Sequence, residues 1–470
     1  MFKQRRIRAA FLLSTMLLLA SGLAAQRSRA AEQAPTPAPM SPADKAALAR
    51  SRLYRPPALP PEANAVDVDN VYSMQMLTLP KQDLMQKLGR RIFFDPALSG
   101  SGKLSCSSCH NPDTAYGPDN ALPVQMGGTA LDKMGNRAAP SLRYKERLPA
   151  FSEHYFDEEM PTGIDQGPTG GFGLDGRFST LHAQVSLPLL APNEMANASV
   201  SDVVAKLRRA EYAPLFRETF GADALDDEGR AFKWMTLALE YFQRDPKEFF
   251  PFSSKYDAYL RGQASLTPSE QRGLKLFNDK EKGNCATCHP SARSPNGAMP
   301  DFTDFGLVAV GAPRNSALSI NKQADFYDLG LCGPYRTDMA RHREYCGAFR
   351  TPTLRNVALR KSFMHNGVFH SLLEVLDFYA TRDTDPARWY PRIAAGRHKG
   401  EIDKYNDLPR DLRKNVNQEA PFSPDAAGKP RLSKADVDDL AAFLATLTDG
   451  YRAPPDNQMA SANGNKKEQQ

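Results

Sequence analysis

Cys106-Ser107-Ser108-Cys109-His110 and Cys285-Ala286-Thr287-Cys288-His289 are two copies of the pattern Cys-x-x-Cys-His. Two thiols at this spacing, followed at once by an imidazole, are the attachment signature of c-type haem. Each sulfur adds across a vinyl group, and the histidine is set beneath the iron as proximal ligand. With six Cys and eight His in 470 residues, chance yields on the order of 0.001 such motifs. A zinc site or a redox dithiol explains paired cysteines but leaves a histidine at the same place twice unaccounted for. The remaining pair, Cys332 and Cys346, is expected to form a disulfide in an oxidising compartment. Closing that loop adds about 3 kcal/mol on the loop-entropy model; free or modified thiols are the alternative.

The two motifs sit in an internal duplication. Gly89-Arg90-Arg91-Ile92-Phe93-Phe94-Asp95 precedes the first, and Gly273-Leu274-Lys275-Leu276-Phe277-Asn278-Asp279 precedes the second. Downstream, Pro140-Ser141-Leu142-Arg143 returns as Pro352-Thr353-Leu354-Arg355, and Asp175-Gly176-Arg177-Phe178 as Asn366-Gly367-Val368-Phe369. Aligned on Asp175 and Asn366, the position thirteen residues on is Pro188 in the first repeat and Tyr379 in the second. Proline cannot ligate iron, whereas a phenolate can. If this position lies opposite each proximal histidine, the first haem is open and the second is capped. On the residues alone, Tyr379 is equally a buried aromatic of the apolar run from Leu373.

The elements that must hold these residues are mainly helical. Thr267-Pro268-Ser269-Glu270 is a capping box with Pro at the first helical position, opening a helix through Phe277. Ser433 caps a helix whose Val437, Leu440, Ala441, Leu444 and Leu447 fall on one face, and residues 231–243 form a third. Alternating strand patterns are few, so the fold class is mainly α, with two duplicated cytochrome c-like haem domains in tandem at 71–250 and 251–450. Basic residues up to Arg8, the apolar stretch Ala9 to Ala20 and a run of small residues read as an export signal over 1–31. An uncleaved anchor is the alternative, although the stretch is short for a span. Arg5-Arg6 bears a faint likeness to a twin-arginine signal, but haem attachment needs an unfolded chain and favours the general secretory route. Residues 32–70 form a Pro-rich linker and 451–470 a disordered tail. Setting aside the six basic residues of 1–31, 54 Lys and Arg face 54 Asp and Glu. Such a balance leaves no electrostatic footprint for nucleic acid. No transmembrane span is expected once the signal is removed.

Together, the duplicated Cys-x-x-Cys-His domains, Pro352 to Leu359, Met364-His365-Asn366-Gly367 and Pro188 to Met195 resemble the bacterial di-haem cytochrome c peroxidase/MauG superfamily over roughly residues 75–450. The resemblance implies that the position fourteen residues after His365, here Tyr379, is the sixth ligand of the C-terminal haem, as in the MauG-like branch; Met364 and His365 are the fallback ligands. It also implies Glu194 as distal carboxylate, with Gln184 ten and Pro188 six residues earlier. A carboxylate there can take the near-oxygen proton of a peroxide and deliver it to the leaving oxygen. On the residues alone, Glu194 is equally an exposed first-turn glutamate after an Asn193 cap. Arg143 and Arg355 recur in both repeats and suit haem propionates, although packing explains them nearly as well.

Three departures matter. The inter-haem Trp of the family is Leu174 here, and the two tryptophans are Trp234 and Trp389. At the family's inter-domain calcium site, the side-chain ligand position is Ala138 and the carbonyl positions fall at Arg360 and Ser362; calcium is left open, through backbone oxygens or Asn136. Residues 111–139 contain no His, which implies a first haem already open in the resting diferric state. An insertion from Pro161 to Gly173 holds five glycines and reads as a mobile surface loop, with a lid or docking loop as alternative. The expectation is a periplasmic enzyme with two covalently bound haem c groups. Hydrogen peroxide reacts at the His110 haem and electrons pass through a His289/Tyr379 haem of bis-ferryl type. The reductant is a small periplasmic cytochrome c or cupredoxin, or, as in MauG, residues of a partner protein. A purely electron-transferring cytochrome is the third reading.

Overall fold

The computed structural model describes residues 80–156 and 164–452; the expected signal (1–31), the linker (32–70) and all but the start of the tail lie outside them. The helices are α1 (Pro80–Phe93), α2 (Cys106–Cys109), α3 (Leu181–Leu190), α4 (Val200–Arg209), α5 (Ala213–Phe220), α6 (Glu228–Phe242), α7 (Pro246–Phe249), α8 (Lys255–Leu260), α9 (Pro268–Asn278), α10 (Leu372–Thr381) and α11 (Lys434–Ala445). Among the described residues, strand is confined to two antiparallel pairs: β1 (Met126–Gly127) with β2 (Lys133–Met134), and β3 (Leu307–Val308) with β4 (Phe349–Arg350). The fold is therefore mainly helical with little sheet, as expected. The sequence-read caps are in place. Thr267 accepts from Glu270 N and Ser433 from Asp436 N, each with a reciprocal carboxylate bond.

Two apolar cores divide the described chain, one running from Leu88 to Phe249 and the other from Tyr256 to Leu447. Each is built on a pair of helices crossing at a glycine. A Cβ on Gly89 of α1 would lie 2.0 Å from the Ala238 carbonyl oxygen of α6, and one on Gly273 of α9 the same distance from the Asp439 carbonyl of α11. Beside each crossing the same aromatic triad recurs. Phe93–Phe242, Phe93–Tyr116 and Tyr116–Phe242 have ring separations of 5.3, 5.7 and 6.4 Å. Phe277–Phe443, Phe277–Phe302 and Phe302–Phe443 have 5.2, 6.0 and 6.3 Å. These tilted and edge-on contacts fix where the segments after each Cys-x-x-Cys-His motif must pass.

Buried ion pairs tie the two halves together. Arg137 grips Asp328 through Nε and Nη2, both at 2.7 Å, and Asp175 through Nη1 at 2.8 Å. Asp449, near the end of the described chain, accepts from Arg143 (2.8 Å), Tyr144 (2.6 Å) and Asn356 (2.7 Å). Cys332 and Cys346 are joined as a disulfide. The insertion is less loose than its glycines imply. Leu307 N donates to the Pro168 carbonyl and Gly170 N to the Phe305 carbonyl, both at 2.9 Å, so residues 168–173 are pinned across the halves rather than swinging as a surface loop.

The crossings make a test. Alanine ordinarily stabilises a helix relative to glycine, but here a methyl group meets backbone that cannot swing aside. Gly89→Ala and Gly273→Ala are each expected to destabilise the protein by about 1–3 kcal/mol in denaturant unfolding of the haem-loaded chain. Neutral or stabilising substitutions would show that the helices can part at no cost.

Candidate functional site

Each Cys-x-x-Cys-His histidine is oriented through its Nδ1 by a main-chain carbonyl. His110 Nδ1 lies 3.0 Å from the Tyr116 carbonyl and His289 Nδ1 2.7 Å from the Phe302 carbonyl. A carbonyl only accepts, so each Nδ1 carries the proton and each Nε2 keeps its lone pair for a metal. Burial lowers both pKa values to about 4, keeping the rings neutral. Tyr116 and Phe302 are both left-handed, at φ 57° and 54°. Their carbonyls are braced by the second duplicated motif. Leu142 N and Leu354 N donate to them at 3.2 Å, while Ser141 Oγ and Thr353 Oγ1 hold the preceding carbonyls, of Ala115 and Asp301, at 2.6 Å.

Arg143 and Arg355 belong to this brace. Arg143 Nε donates to the Glu248 carbonyl and Arg355 Nε to the Pro300 carbonyl. Arg143 Nη1 then meets Asp449, while Arg355 makes a fully buried bidentate pair with Asp257 at 2.8 and 2.9 Å. Their recurrence has a packing cause in these bonds.

The first motif opens on a cavity of about 250 Å³. Cys106, Cys109 and His110 line it together with Gln184, Pro188 and Glu194. Gln184 and Pro188 project from α3, which starts at a Thr180 cap. Asn193 caps no helix: its Nδ2 donates to the Met134 carbonyl, and the next helix, α4, starts at a Ser199 cap. Glu194 presents accessible surface to the cavity, yet the surrounding protein desolvates its carboxyl and pushes its pKa up, opposed by the Arg177 guanidinium. Leu174, Phe172 and Gly173 complete part of the wall. Trp234 instead stacks on Phe220 in the first core, and Trp389 packs against Phe369 and Phe378 in the second.

Lys145, Arg350 and Arg177 also line this cavity and were not read from the sequence. Among the described residues Lys145 and Arg350 have no carboxylate within ion-pair distance, and burial lowers their pKa values to about 7 and about 10. Desolvated cations without a carboxylate partner favour a ligand that brings anionic groups. Two thiols, an imidazole with a free Nε2, apolar walls and unpaired cations together suit a haem with its two propionates. For Arg177 a signal was legible: the aligned residue in the second repeat is Val368, so a cation stands only in the repeat that has Pro188.

The second site repeats the register. Phe172 bridges Phe178 and Phe363 bridges Phe369, each pair flanking the Asp/Asn-Gly turn at the same offset. Thr180 and Ser371 then cap α3 and α10, so Pro188 and Tyr379 occupy equivalent helical positions. The Tyr379 ring packs on Phe422 at 4.6 Å, and no hydrogen-bond partner of its hydroxyl is found among the described residues. Burial and the Cys288 and Cys285 sulfurs raise its pKa, while the Arg382 guanidinium lowers it. Of the fallback ligands, His365 stacks flat on Phe349 at 3.8 Å with Nε2 held by Asp407 at 3.1 Å. Met364 packs on the core that contains Cys285 and Tyr379.

Comparison with known proteins agrees with this geometry. The family model for di-haem cytochrome c peroxidase matches residues 84–265. The methylamine utilization protein MauG of Paracoccus denitrificans is 33% identical over 80% of this chain and 91% of its own. The cytochrome c551 peroxidase of Nitrosomonas europaea is 27% identical over 61% of this chain and 70% of its own. The crystal structure of the diheme peroxidase BthA from Burkholderia thailandensis superposes with a TM-score of 0.69 at 39% identity, covering 78% of this chain and 86% of that one. The chain belongs to the di-haem cytochrome c peroxidase family, on its MauG-like side, and is an oxidoreductase of the di-haem peroxidase kind.

Proposed function

We propose that the protein is a periplasmic peroxidase whose two tandem domains, 71–250 and 251–450, each carry a covalently attached haem c, the first open to hydrogen peroxide and the second capped by Tyr379. The observation that carries this reading is the asymmetry at one register: a proline ring faces the first cavity where the second half has a phenol with no hydrogen-bond partner among the described residues, beside its cysteines. When bound, haem iron supplies the two-electron reduction of hydrogen peroxide to water and stores the oxidising equivalents. The chain's own groups move the protons. Glu194 takes the proton from the peroxide oxygen nearer the centre of the cavity and returns it to the leaving oxygen, while the Gln184 amide orients the peroxide. At the second site Nε2 of His289 and the Tyr379 oxygen would hold the haem iron. Once the Cys285 and Cys288 sulfurs are thioethers they can carry no charge, so their contribution to the raised phenol pKa disappears and that of Arg382 remains.

An anionic oxygen ligand stabilises the oxidised haem, the reverse of a methionine. With such a ligand the second haem would rest oxidised and could take up one of the two oxidising equivalents that peroxide supplies. A small periplasmic cytochrome c or cupredoxin then returns the electrons. The MauG relatives favour a second reading, in which the electrons come from residues of a partner protein.

The direct experiment is EPR with Mössbauer spectroscopy on the diferric protein before and after one equivalent of peroxide. Both ferric signals are expected to vanish without pre-reduction. A protein inert until one electron is added is a reductively activated peroxidase without the Tyr379 ligand, and one inert in both states is an electron-transfer cytochrome. Replacing the phenol, Tyr379→Met, is expected to raise the second haem's potential by on the order of 100 mV; an unchanged potential in a redox titration removes Tyr379 from the iron. Because Glu194 acts as a base with a pKa held above the ordinary carboxylate range, the rate of peroxide reaction rises with pH through that raised value and is lost below it. Glu194→Gln is expected to slow the reaction by about 10²–10⁴-fold and to abolish that limb of the stopped-flow pH profile.

A further inference from the structure

The resemblance that leaves calcium open between the halves assigns it the carbonyls at Arg360 and Ser362 and the side chain at Ala138. The residues present do not fit that ion. Calcium takes six to eight oxygen ligands, usually with carboxylates among them. Ala138 has no side-chain oxygen, is buried, and spends its N–H on the His365 carbonyl at 2.8 Å. Asn136 lines the cavity. The space beside Arg360 and Ser362 is lined by Thr114, Gly117, Pro118 and Asn120 from the first half and by Leu359 to Ser362 from the second, with no carboxylate among its lining residues. It amounts to about 10 Å³, room for one water and no coordination shell. No cluster of three or more metal-ligating side chains occurs among the described residues.

A cation is nevertheless there. Arg360 Nε and Nη2 donate to the Ser362 carbonyl at 3.3 and 3.1 Å, and Nη2 also reaches the Ala139 carbonyl of the first half at 3.2 Å. All its hydrogen bonds end on main-chain carbonyls, the donor geometry in which a fixed positive charge draws oxygens from two segments together. The next side chain repeats the reach, Lys361 Nζ donating to the Asp119 carbonyl at 2.9 Å. A divalent ion added beside them would face two fixed cations.

We propose that the Arg360 guanidinium takes the place of an inter-half cation, holding the Ser362 carbonyl to the Ala139 carbonyl, so that the haem-loaded protein neither binds nor needs calcium. The joint is then insensitive to chelators, and its positive charge is permanent.

The test uses the full haem-loaded chain. After dialysis against EDTA and then against buffer with excess calcium, elemental analysis is expected to find well under one calcium per chain, with an unchanged melting temperature and unchanged ferric EPR spectra in both conditions. One tightly held calcium per chain, or a spectrum or melting point that moves with EDTA and returns with calcium, overturns the proposal. Arg360→Ala is expected to lower the melting temperature by roughly 2–4 °C, with partial rescue by Arg360→Lys. An Ala variant as stable as the parent overturns it too. If the Ala variant fails to fold, the calcium content and EDTA response of the parent still decide the question.

Discussion

The hydrogen bond from each proximal imidazole to a main-chain carbonyl is the contact the rest of the molecule serves. It fixes a tautomer and a ring plane in one step, and it fails if the carbonyl moves by an ångström. Each half therefore spends much of its core on one peptide. The residue supplying the carbonyl is left-handed, its aromatic ring is clamped by the crossing helices, and the Pro-Ser/Thr-Leu-Arg motif holds the carbonyl and the one before it. Arg355, buried against Asp257 and lying over the Tyr144 and Phe252 rings at 4.6 Å, shows the cost of that precision. A fully desolvated ion pair is weak as a source of stability but strict about geometry.

On this common scaffold the two sites diverge through few substitutions at matched positions. The helix after the Asp/Asn-Gly turn carries a proline in one half and a tyrosine in the other. A proline within α3 removes one helical hydrogen bond, and the segment beyond it folds back, with Met195 N donating to the Pro188 carbonyl at 3.0 Å. That turn brings Glu194 to the cavity. α10, like α3, ends two residues past the matched position, at Thr381, but there Arg382, fully buried, follows, bonding bidentately to Asp383 and reaching the Val310 and Asn417 carbonyls. A carboxylate with a nearby guanidinium stands on one side, a phenol with a nearby guanidinium on the other. In both, the guanidinium opposes burial, yet burial is the larger effect and holds each group's pKa above its ordinary value.

What the sequence made legible was whatever is encoded locally or twice. The Cys-x-x-Cys-His motifs, the Thr267 and Ser433 caps and the constant register linking Asp175 with Asn366 and Pro188 with Tyr379 all rest on short spacings, and the structure places each where those spacings demand. What stayed hidden depends on partners far along the chain. Lys145 and Arg350 meet at one cavity from segments some two hundred residues apart, and no local pattern distinguishes them from surface cations. Arg143 and Arg355 show the converse. Their recurrence was visible, but only the Glu248 and Pro300 carbonyls and the Asp449 and Asp257 carboxylates reveal that they brace the fold. The glycines between 163 and 173 suggested mobility, whereas the bonds from Gly170 and Leu307 use that freedom to seat the segment between the halves.

The joint between the halves follows the same electrostatic logic. Arg137 is shared by Asp175 of one half and Asp328 of the other, and its guanidinium lies over Tyr335 at 4.8 Å and Phe349 at 5.4 Å. Phe349 in turn stacks on His365, next in sequence to Met364 on the second core. This column begins at the wall of the first cavity, where Tyr335 stands, and no tryptophan takes part. With Leu174 at the position where the family resemblance expects one, the stretch from the first cavity to the second core is filled instead by rings and a guanidinium plane, held in place by the two carboxylates that share Arg137.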